Sequence, residues 1–177
     1  HQIITEKALK EMKIDGTTKL VNTLDDIEDC NGLIISGGES STIGMHLEKT
    51  GLSNYLKETG IPILGTCAGL VLLSKKTDQD QPLLGLIDST VKRNGFGRQR
   101  MSFESEIKFN NEDYHGIFIR APYISQISDD VEVLSKYDDK IIAVKQNQYI
   151  GIAFHPELTE DTLIHKLFIL EVESCVV

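Results

Sequence analysis

Two short apolar runs, each followed at once by a glycine turn and a helix-like segment, constrain the fold of this chain most. The first is "GLIIS", Gly32 to Ser36, which leads into "GGESSTIG"; the second is "IPIL", which leads into "GTCAGLVLL". Short runs that are rich in aliphatic and β-branched residues and closed by glycine are typical of buried strands. Strands that alternate with helices in this rhythm predict a parallel sheet with helices on its faces.

Other patterns in the first half fit this architecture. Apolar residues recur at helical spacing near the start of the chain, so we expect it to open on an amphipathic helix. "TKLVNT", residues 18–23, is predicted as a short strand, and Leu52 to Thr59 and Ala68 to Ser74 as helices. The hydroxyl residues after Gly38 are suited to capping the helix that carries Ile43.

The second half changes character and indicates antiparallel strands. Between Ser89 and Phe154 there are β-type runs in "STVKR", "SFESEIKF", "GIFIRA", "VEVLSK", "IIAVKQ" and "YIGIAF", several joined by tight polar turns. Thr162 to Val172 is predicted as a closing helix. The expected fold class is α/β, a three-layer sandwich with a mainly parallel central sheet plus antiparallel hairpin strands.

Size and charge narrow the classes of partner. The 177 residues suit one domain, 1–177. The formal net charge of −9 argues against nucleic acid or an anionic membrane as a partner, because both require a basic surface. The three cysteines are scattered, without the spacing of a disulfide framework or a zinc site, which favours a reducing, cytoplasmic location and no metal. The chain has neither an apolar segment of membrane-spanning length nor a signal-peptide pattern.

Cys67 occupies the position of a nucleophile elbow. It follows the predicted strand and precedes the predicted helix, with Gly65 two residues before it and Gly69 two residues after. Small flanking residues allow such a tight turn, and the side chain then projects at the carboxyl end of the strand. Taken alone, the stretch fits a buried cysteine that acts as a small hydrophobe at least as well.

His155 and Glu157 are the candidate partners of this thiol. In "GIAFHPELT" they bracket Pro156 after an extended run, so their side chains are expected on the same side of the chain. Glu157 could hydrogen-bond one ring nitrogen of His155 and leave the other for the thiol. The alternative is a strand-end turn with a structural histidine. His1, His46, His115 and His165 lack comparable surroundings.

Two further features could bind a substrate or stabilise its reacting group. The "SGGES" turn offers backbone N–H groups to a developing oxyanion, although a plain tight turn is an equal alternative. Arg93 and Arg120 each follow a strand-like run, where a guanidinium could bind a carboxylate or form a structural ion pair. Cys30 and Cys175 have no such context and are interpreted as structural.

Together, "GGES", "GTCAGL", "RNGFGRQ", "FIRAP" and "FHPELT", in this order, resemble the glutaminase subunits of pyridoxal 5′-phosphate synthase. These subunits are class I, triad-type glutamine amidotransferases. The cysteine elbow and His-x-Glu belong to the whole superfamily, whereas "RNGFGRQ" and "FIRAP" are particular to this subunit. The resemblance runs from about Gly32 to the end of the chain.

The resemblance implies a role for each matching residue. Cys67 would be the nucleophile, His155 the general acid and base, and Glu157 its orienting partner. Glutamine would be bound by the residues Gly38, Glu39, Ser40, Arg93, Ile119 and Arg120, and the N–H groups near Gly38 and Ala68 would stabilise the oxyanion. No cofactor is implied, and the ammonia would pass to a separate synthase subunit that builds the vitamin B6 cofactor.

The chain departs from the family pattern at two places. The given sequence starts without the family's first strand and its loop, and we expect this segment either to be missing from the domain or only to have been trimmed from the sequence. In addition, Ser36 stands where proline is usual. Rival interpretations are a glutaminase subunit serving another synthase, such as that of histidine biosynthesis, a stand-alone cysteine amidase or peptidase, and a non-catalytic module with the same fold.

Overall fold

The structure is a computed structural model that describes residues 1–96 and 102–176. Its helices are α1 (Gln2–Met12), α2 (Leu24–Ile27), α3 (Ser40–Lys49), α4 (Leu52–Thr59), α5 (Ala68–Leu73) and α6 (Leu163–Cys175), with a 3₁₀ helix at Pro156–Leu158. Its strands are β1 (Leu33–Ile35), β2 (Ile63–Thr66), β3 (Ser74–Thr77), β4 (Ile87–Lys92), β5 (Ser102–Phe109), β6 (Glu112–Ile119), β7 (Tyr123–Ile127), β8 (Glu132–Tyr137), β9 (Lys140–Gln146) and β10 (Tyr149–Ile152).

The strands described form one sheet with a parallel part and an antiparallel part. Its main path runs β1-β2-β10-β9-β7-β4-β3, with β1, β2 and β10 mutually parallel and β9 antiparallel to β10. The β5–β6 ribbon lies off this path and is joined to it through β8, which pairs with both β5 and β9. The antiparallel hairpins predicted for the second half are therefore present, and they extend the parallel part from β10 outward.

Helices cover both faces of the sheet. Gly151 of β10 faces α5, since a Cβ atom there would lie 2.6 Å from Leu70 Cδ1. Its antiparallel partner Val144 shares that face, so the next residue, Lys145, points to the opposite face, where its Nζ pairs with Glu171 of α6. The three-layer α/β prediction is confirmed. α1 packs against α6, and α3 packs against α5.

The predicted strand at residues 18–23 is wrong. Leu20 is 72% exposed, and the described structure has no strand there. Instead, Asp26 Oδ2 accepts hydrogen bonds from the backbone N–H groups of Asn22 and Thr23, both 2.9 Å long, and a capping box at Thr23 starts α2. Local side-chain capping thus replaces sheet pairing in this segment.

Smaller differences concern the ends of elements. α5 ends at Leu73, and Ser74 begins β3, a strand that the sequence interpretation assigned partly to helix. The N-cap of α3 is Glu39 without a side-chain hydrogen bond, so the predicted hydroxyl cap is absent; Ser40 Oγ donates instead to Gln81 Oε1 at 3.0 Å. β7 was not predicted. No helix in the described part of the chain is long and apolar enough to cross a membrane.

Candidate active site

Cys67 lies at a sharp turn between β2 and α5. Its φ of 53° and ψ of −100° are unusual for a residue with a side chain and indicate local backbone strain. A Cβ atom on Gly65 would lie 2.5 Å from the carbonyl carbon of Gly69, and one on Gly69 would lie 2.1 Å from the carbonyl oxygen of Ile35. Only glycine fits at both positions, and this close packing of β1, β2 and α5 creates the turn that presents Cys67.

The turn is held by the backbone of neighbouring strands. The Cys67 N–H donates to the carbonyl oxygen of Ile152 at 2.8 Å, and Cys67 Sγ lies 3.9 Å from the carbonyl oxygen of Ile119. The thiol therefore faces the end of β6 rather than the interior of α5. It is neither fully buried nor bonded to another cysteine.

His155 and Glu157 meet, although the segment is not extended as the sequence predicted. β10 ends at Ile152, and a 3₁₀ helix begins directly after His155. Within that turn His155 Nδ1 lies 2.8 Å from Glu157 Oε1, while the His155 N–H donates to the carbonyl oxygen of Ile117 at 2.9 Å. Pro156 at the start of the 3₁₀ helix fixes φ between the two side chains.

The imidazole of His155 is strongly perturbed. The Cys67 side chain is the largest cause that raises the pKa of His155 to about 9; Glu157 adds to this effect, and burial opposes it. His155 Nε2 is buried, yet it makes no hydrogen bond to any residue that the structure describes. Cys67 is thus near enough to influence the ring without completing a hydrogen bond to it. An imidazolium beside a thiol is the setting in which cysteine reacts as thiolate.

The glycine turn after β1 closes the site from the other side. A Cβ atom on Gly37 would lie 2.7 Å from His155 Cε1 and 3.6 Å from Cys67 Cβ, so this backbone packs directly on both side chains. Gly38 has a φ of 146°, which other residues rarely adopt. Ala68 is the first residue of α5, so its N–H lacks an acceptor within the helix.

Arg93 is bound to the loop that follows the glycines. Its Nη2 donates to Glu39 Oε1 at 2.8 Å and its Nη1 to Gln81 Oε1 at 3.0 Å; Gln79 Oε1 also accepts from Nη1. The positive charge of Arg93 is the main reason that the pKa of Glu39 is lowered. Because Ser40 donates to the same Gln81 oxygen, one amide joins Arg93 to the start of α3.

These elements surround one pocket of about 130 Å³. It is lined by Gly38, Glu39, Ser40, Cys67, Ala68, Val71, Arg93, Asn94, Ile119, Arg120, Pro122 and His155. The structure therefore brings together every predicted site residue except Glu157, which lies behind His155. The part of "RNGFGRQ" from Gly97 to Gln99 lies outside the described residues.

Three lining residues were missed by the sequence interpretation. Val71 faces the pocket from α5, and Asn94 and Pro122 each follow a predicted arginine by one or two positions. The Asn94 φ of 49° marks a turn, a signal present in the "RNG" sequence. Among the described residues, no group of three or more histidine, cysteine or acidic side chains is placed to hold a metal ion.

A thiol at a strand-to-helix turn, beside an imidazole held by a carboxylate, is the arrangement of thiol-dependent hydrolases and amidotransferases. A family model for the SNO glutamine amidotransferase family matches residues 1–174. The chain belongs to that family.

Curated relatives carry a more specific name. A protein of Methanosphaera stadtmanae is 99% identical over 177 residues, covering 100% of this chain and 92% of its own length. A protein of Methanobrevibacter smithii is 53% identical, covering 99% of this chain and 92% of its own length. Both are named pyridoxal 5′-phosphate synthase subunit PdxT.

Solved structures agree on the fold. A crystal structure described as a glutamine amidotransferase superposes with a TM-score of 0.88 at 36% identity, covering 97% of this chain and 93% of the other. A putative GMP synthase subunit of Thermoplasma acidophilum superposes with a TM-score of 0.65 at 18% identity, covering 99% of this chain and 88% of the other. At that identity the second likeness concerns the fold alone.

Proposed function

We propose that this chain is the glutaminase subunit of a pyridoxal 5′-phosphate synthase. It hydrolyses L-glutamine to L-glutamate and ammonia, and delivers the ammonia to the synthase subunit in a hetero-oligomer. The observation that carries the proposal is the pocket in which Cys67 and His155, from distant parts of the chain, lie against the Gly37–Gly38 turn. The names of the relatives support the choice of synthase.

The proposed chemistry starts at Cys67. Its thiolate attacks the side-chain carboxamide carbon of glutamine, and the N–H groups of Gly38 and Ala68 stabilise the oxyanion that forms. His155, as imidazolium, gives a proton to the departing nitrogen, so ammonia leaves and a thioester remains. Neutral His155 then takes a proton from water, which attacks the thioester and releases glutamate and free Cys67.

Glu157 supports these proton transfers without touching the substrate. Its 2.8 Å contact with Nδ1 directs Nε2 of His155 toward the reacting atoms and stabilises the imidazolium. The amino-acid end of glutamine would be bound by Arg93, Glu39, Ser40, Ile119 and Arg120. The guanidinium groups would bind its carboxylate, and carboxylate or carbonyl oxygens would bind its ammonium group. None of these steps calls on a metal or an organic cofactor.

The resting geometry favours activation by the partner. Cys67 Sγ contacts the Ile119 carbonyl, while the His155 Nε2 atom makes no hydrogen bond within the described part of the structure. We therefore expect weak glutaminase activity from the isolated subunit and a strong increase when the synthase subunit docks. The three free cysteines fit a reducing compartment, and we propose that the complex is cytoplasmic.

The test is glutamine hydrolysis with and without the cognate synthase subunit. Cys67→Ala should lower kcat by at least about a thousandfold, because the nucleophile is lost. Cys175→Ala, at an exposed free thiol, is the matched control and should retain wild-type activity. Hydrolysis that survives in Cys67→Ala would overturn the mechanism.

The same assay separates the rival functions. A stand-alone amidase would reach full activity without any partner and would not require glutamine. A glutaminase that serves another amidotransferase would be stimulated only by that other synthase.

A further inference from the structure

His1 lies directly behind Glu157, on the side away from the pocket. Its Nε2 atom is 3.1 Å from Glu157 Oε2, and the side chains of His1 and Glu157 are only 12% and 18% exposed. The other carboxylate oxygen, Oε1, already accepts from His155. The carboxylate is therefore placed between two imidazoles, one in the pocket and one behind it.

The outer oxygen of Glu157 needs a donor. Glu157 Oε2 is buried, and no described residue gives it a hydrogen bond of good geometry. A buried carboxylate oxygen without a donor is costly, whereas a donor there holds the carboxylate in one orientation. His1 Nε2, at 3.1 Å, is at hydrogen-bonding distance from this oxygen.

The neighbours of His1 indicate which ring nitrogen carries the proton. His1 Nδ1 lies 3.1 Å from His165 Nε2, and burial is the main reason that the pKa of His165 is lowered to about 4. A neutral His165 can donate from Nε2 to His1 Nδ1, which leaves its own buried Nδ1 as an unprotonated acceptor rather than an unsatisfied donor. In that arrangement the proton of a neutral His1 is on Nε2, facing Glu157.

His1 also contacts the strand that carries the thiol. Its Nε2 atom is 3.3 Å from the hydroxyl oxygen of Thr66, the residue immediately before Cys67. The imidazole thereby connects the end of β2 with the 3₁₀ helix that holds Glu157. It touches both supports of the proposed Cys67–His155 pair and does not line the pocket.

We propose that His1 is a positioning residue for the glutaminase reaction: its Nε2–H holds Glu157 Oε2, and Glu157 in turn orients His155. The proposal rests on the proposed function of the Cys67 site. No bond to substrate is involved, so the effect of His1 falls on proton transfer by His155 and not on glutamine binding.

The first measurement uses the wild-type full-length protein and needs no variant. In ¹⁵N-histidine-labelled protein, the nitrogen spectrum assigns the protonated nitrogen of each ring. A His1 ring with its proton on Nε2, neutral or doubly protonated, is the expected result. A neutral His1 with its proton only on Nδ1 would overturn the proposal, whatever the enzyme's activity.

The second measurement is glutaminase kinetics in the complex with the synthase subunit. His1→Ala should lower kcat about tenfold to a hundredfold, as for other residues that orient a catalytic group, with KM for glutamine unchanged. His1→Gln, which keeps a donor near the Nε2 position, should recover most of that loss. His46→Ala, at an exposed histidine on α3, is the control and should match wild type.

The outcomes separate failure of this inference from failure of the proposed function. A folded His1→Ala protein with wild-type kcat, a change confined to KM, or a glutamine variant no better than alanine would contradict the role of His1. Wild-type protein without glutaminase activity would instead contradict the proposed function. The nitrogen spectrum would still show whether His1 carries the Nε2 proton that the contact with Glu157 requires.

Discussion

The environment of the His155 imidazole is built by residues from several elements of the fold. Its ring is packed against Gly37, held by Glu157 and influenced by Cys67, and its N–H is bonded to Ile117. Of these contacts, only the one to Glu157 is local in sequence. The reactivity of the imidazole therefore depends on the assembled fold.

The pKa of His155 offers a prediction at this scale. Cys67 is the largest cause that raises this pKa to about 9, so Cys67→Ala should move it down toward the ordinary value of about 6.5. At pH 8 the wild-type His155 ring is then mostly protonated, and the protonated fraction is smaller in the variant. NMR titration of the His155 ring checks this shift.

Two further variants provide the comparisons for that titration. Glu157→Gln should also lower the pKa of His155, by less than Cys67→Ala, since Glu157 is the second cause. Cys30→Ala, whose sulfur contacts the carbonyl oxygen of Asp26, should leave it unchanged. A His155 pKa that stays near 9 in Cys67→Ala would show that the thiol is not its cause.

Sequence reasoning located most residues of the pocket but could not see all of its contacts. Cys67 carried a local signal in its flanking glycines, and His155 with Glu157 carried one in their spacing around Pro156. His1 carried none, because its contact with Glu157 spans nearly the whole chain and depends on how α1 packs on α6. Residues that act through such distant contacts cannot be recognised from local patterns.

At the scale of elements, the sequence predicted strands correctly where burial of apolar side chains dominates. β1 and β2 are short apolar strands, β2 fully buried and β1 partly buried, and both were predicted. The segment 18–23 has only Leu20 and Val21 as apolar residues, and the Asp26 carboxylate accepts the backbone N–H groups of Asn22 and Thr23. Local capping by a side chain outside the segment therefore takes the place of strand pairing, and the apolar pattern within the segment does not reveal it.

The packing of α5 on β1 and β2 gives a prediction for Gly69. In Gly69→Ala, the new Cβ would lie 2.1 Å from the Ile35 carbonyl oxygen, a backbone atom that has no rotamer by which to move away. α5 must shift, so we expect a loss of at least about 1–3 kcal/mol in the free energy of unfolding. Glutaminase activity should also fall at temperatures where the variant is folded, since the shift moves Cys67.

Gly16→Ala is the matched control for this overpacking. There the new Cβ would lie 3.2 Å from the flexible end of the Leu9 side chain, which can move aside. Denaturant unfolding and glutaminase assays on both variants provide the comparison. Equal stability and equal activity of the two proteins would contradict the account of the elbow.

At the scale of the whole molecule, β6 connects the two halves of the site. The carbonyl oxygen of Ile117 accepts the backbone N–H of His155, and that of Ile119 faces Cys67 Sγ. Between them, Phe118 is fully buried and stacks on Phe103 with a centroid distance of 4.5 Å. Phe118 also packs on Phe154, the residue before His155. The aromatic core of the ribbon therefore sets the position of the strand that contacts the Cys67 thiol and the His155 backbone.

Phe118→Leu should therefore disturb the chemistry as well as the stability. We expect it to cost about 1–3 kcal/mol in the free energy of unfolding and to lower kcat about tenfold, because small displacements of reacting groups are expensive. Phe168→Leu on α6, 5% exposed and packed near Gly32, should cost similar stability and leave kcat unchanged. Glutaminase kinetics with the synthase subunit and denaturant unfolding separate the two effects. If both variants lose stability equally and neither loses kcat, the ribbon supports the fold without positioning the site. A loss of kcat confined to Phe118→Leu would show that the antiparallel half of the molecule positions the groups that react at Cys67.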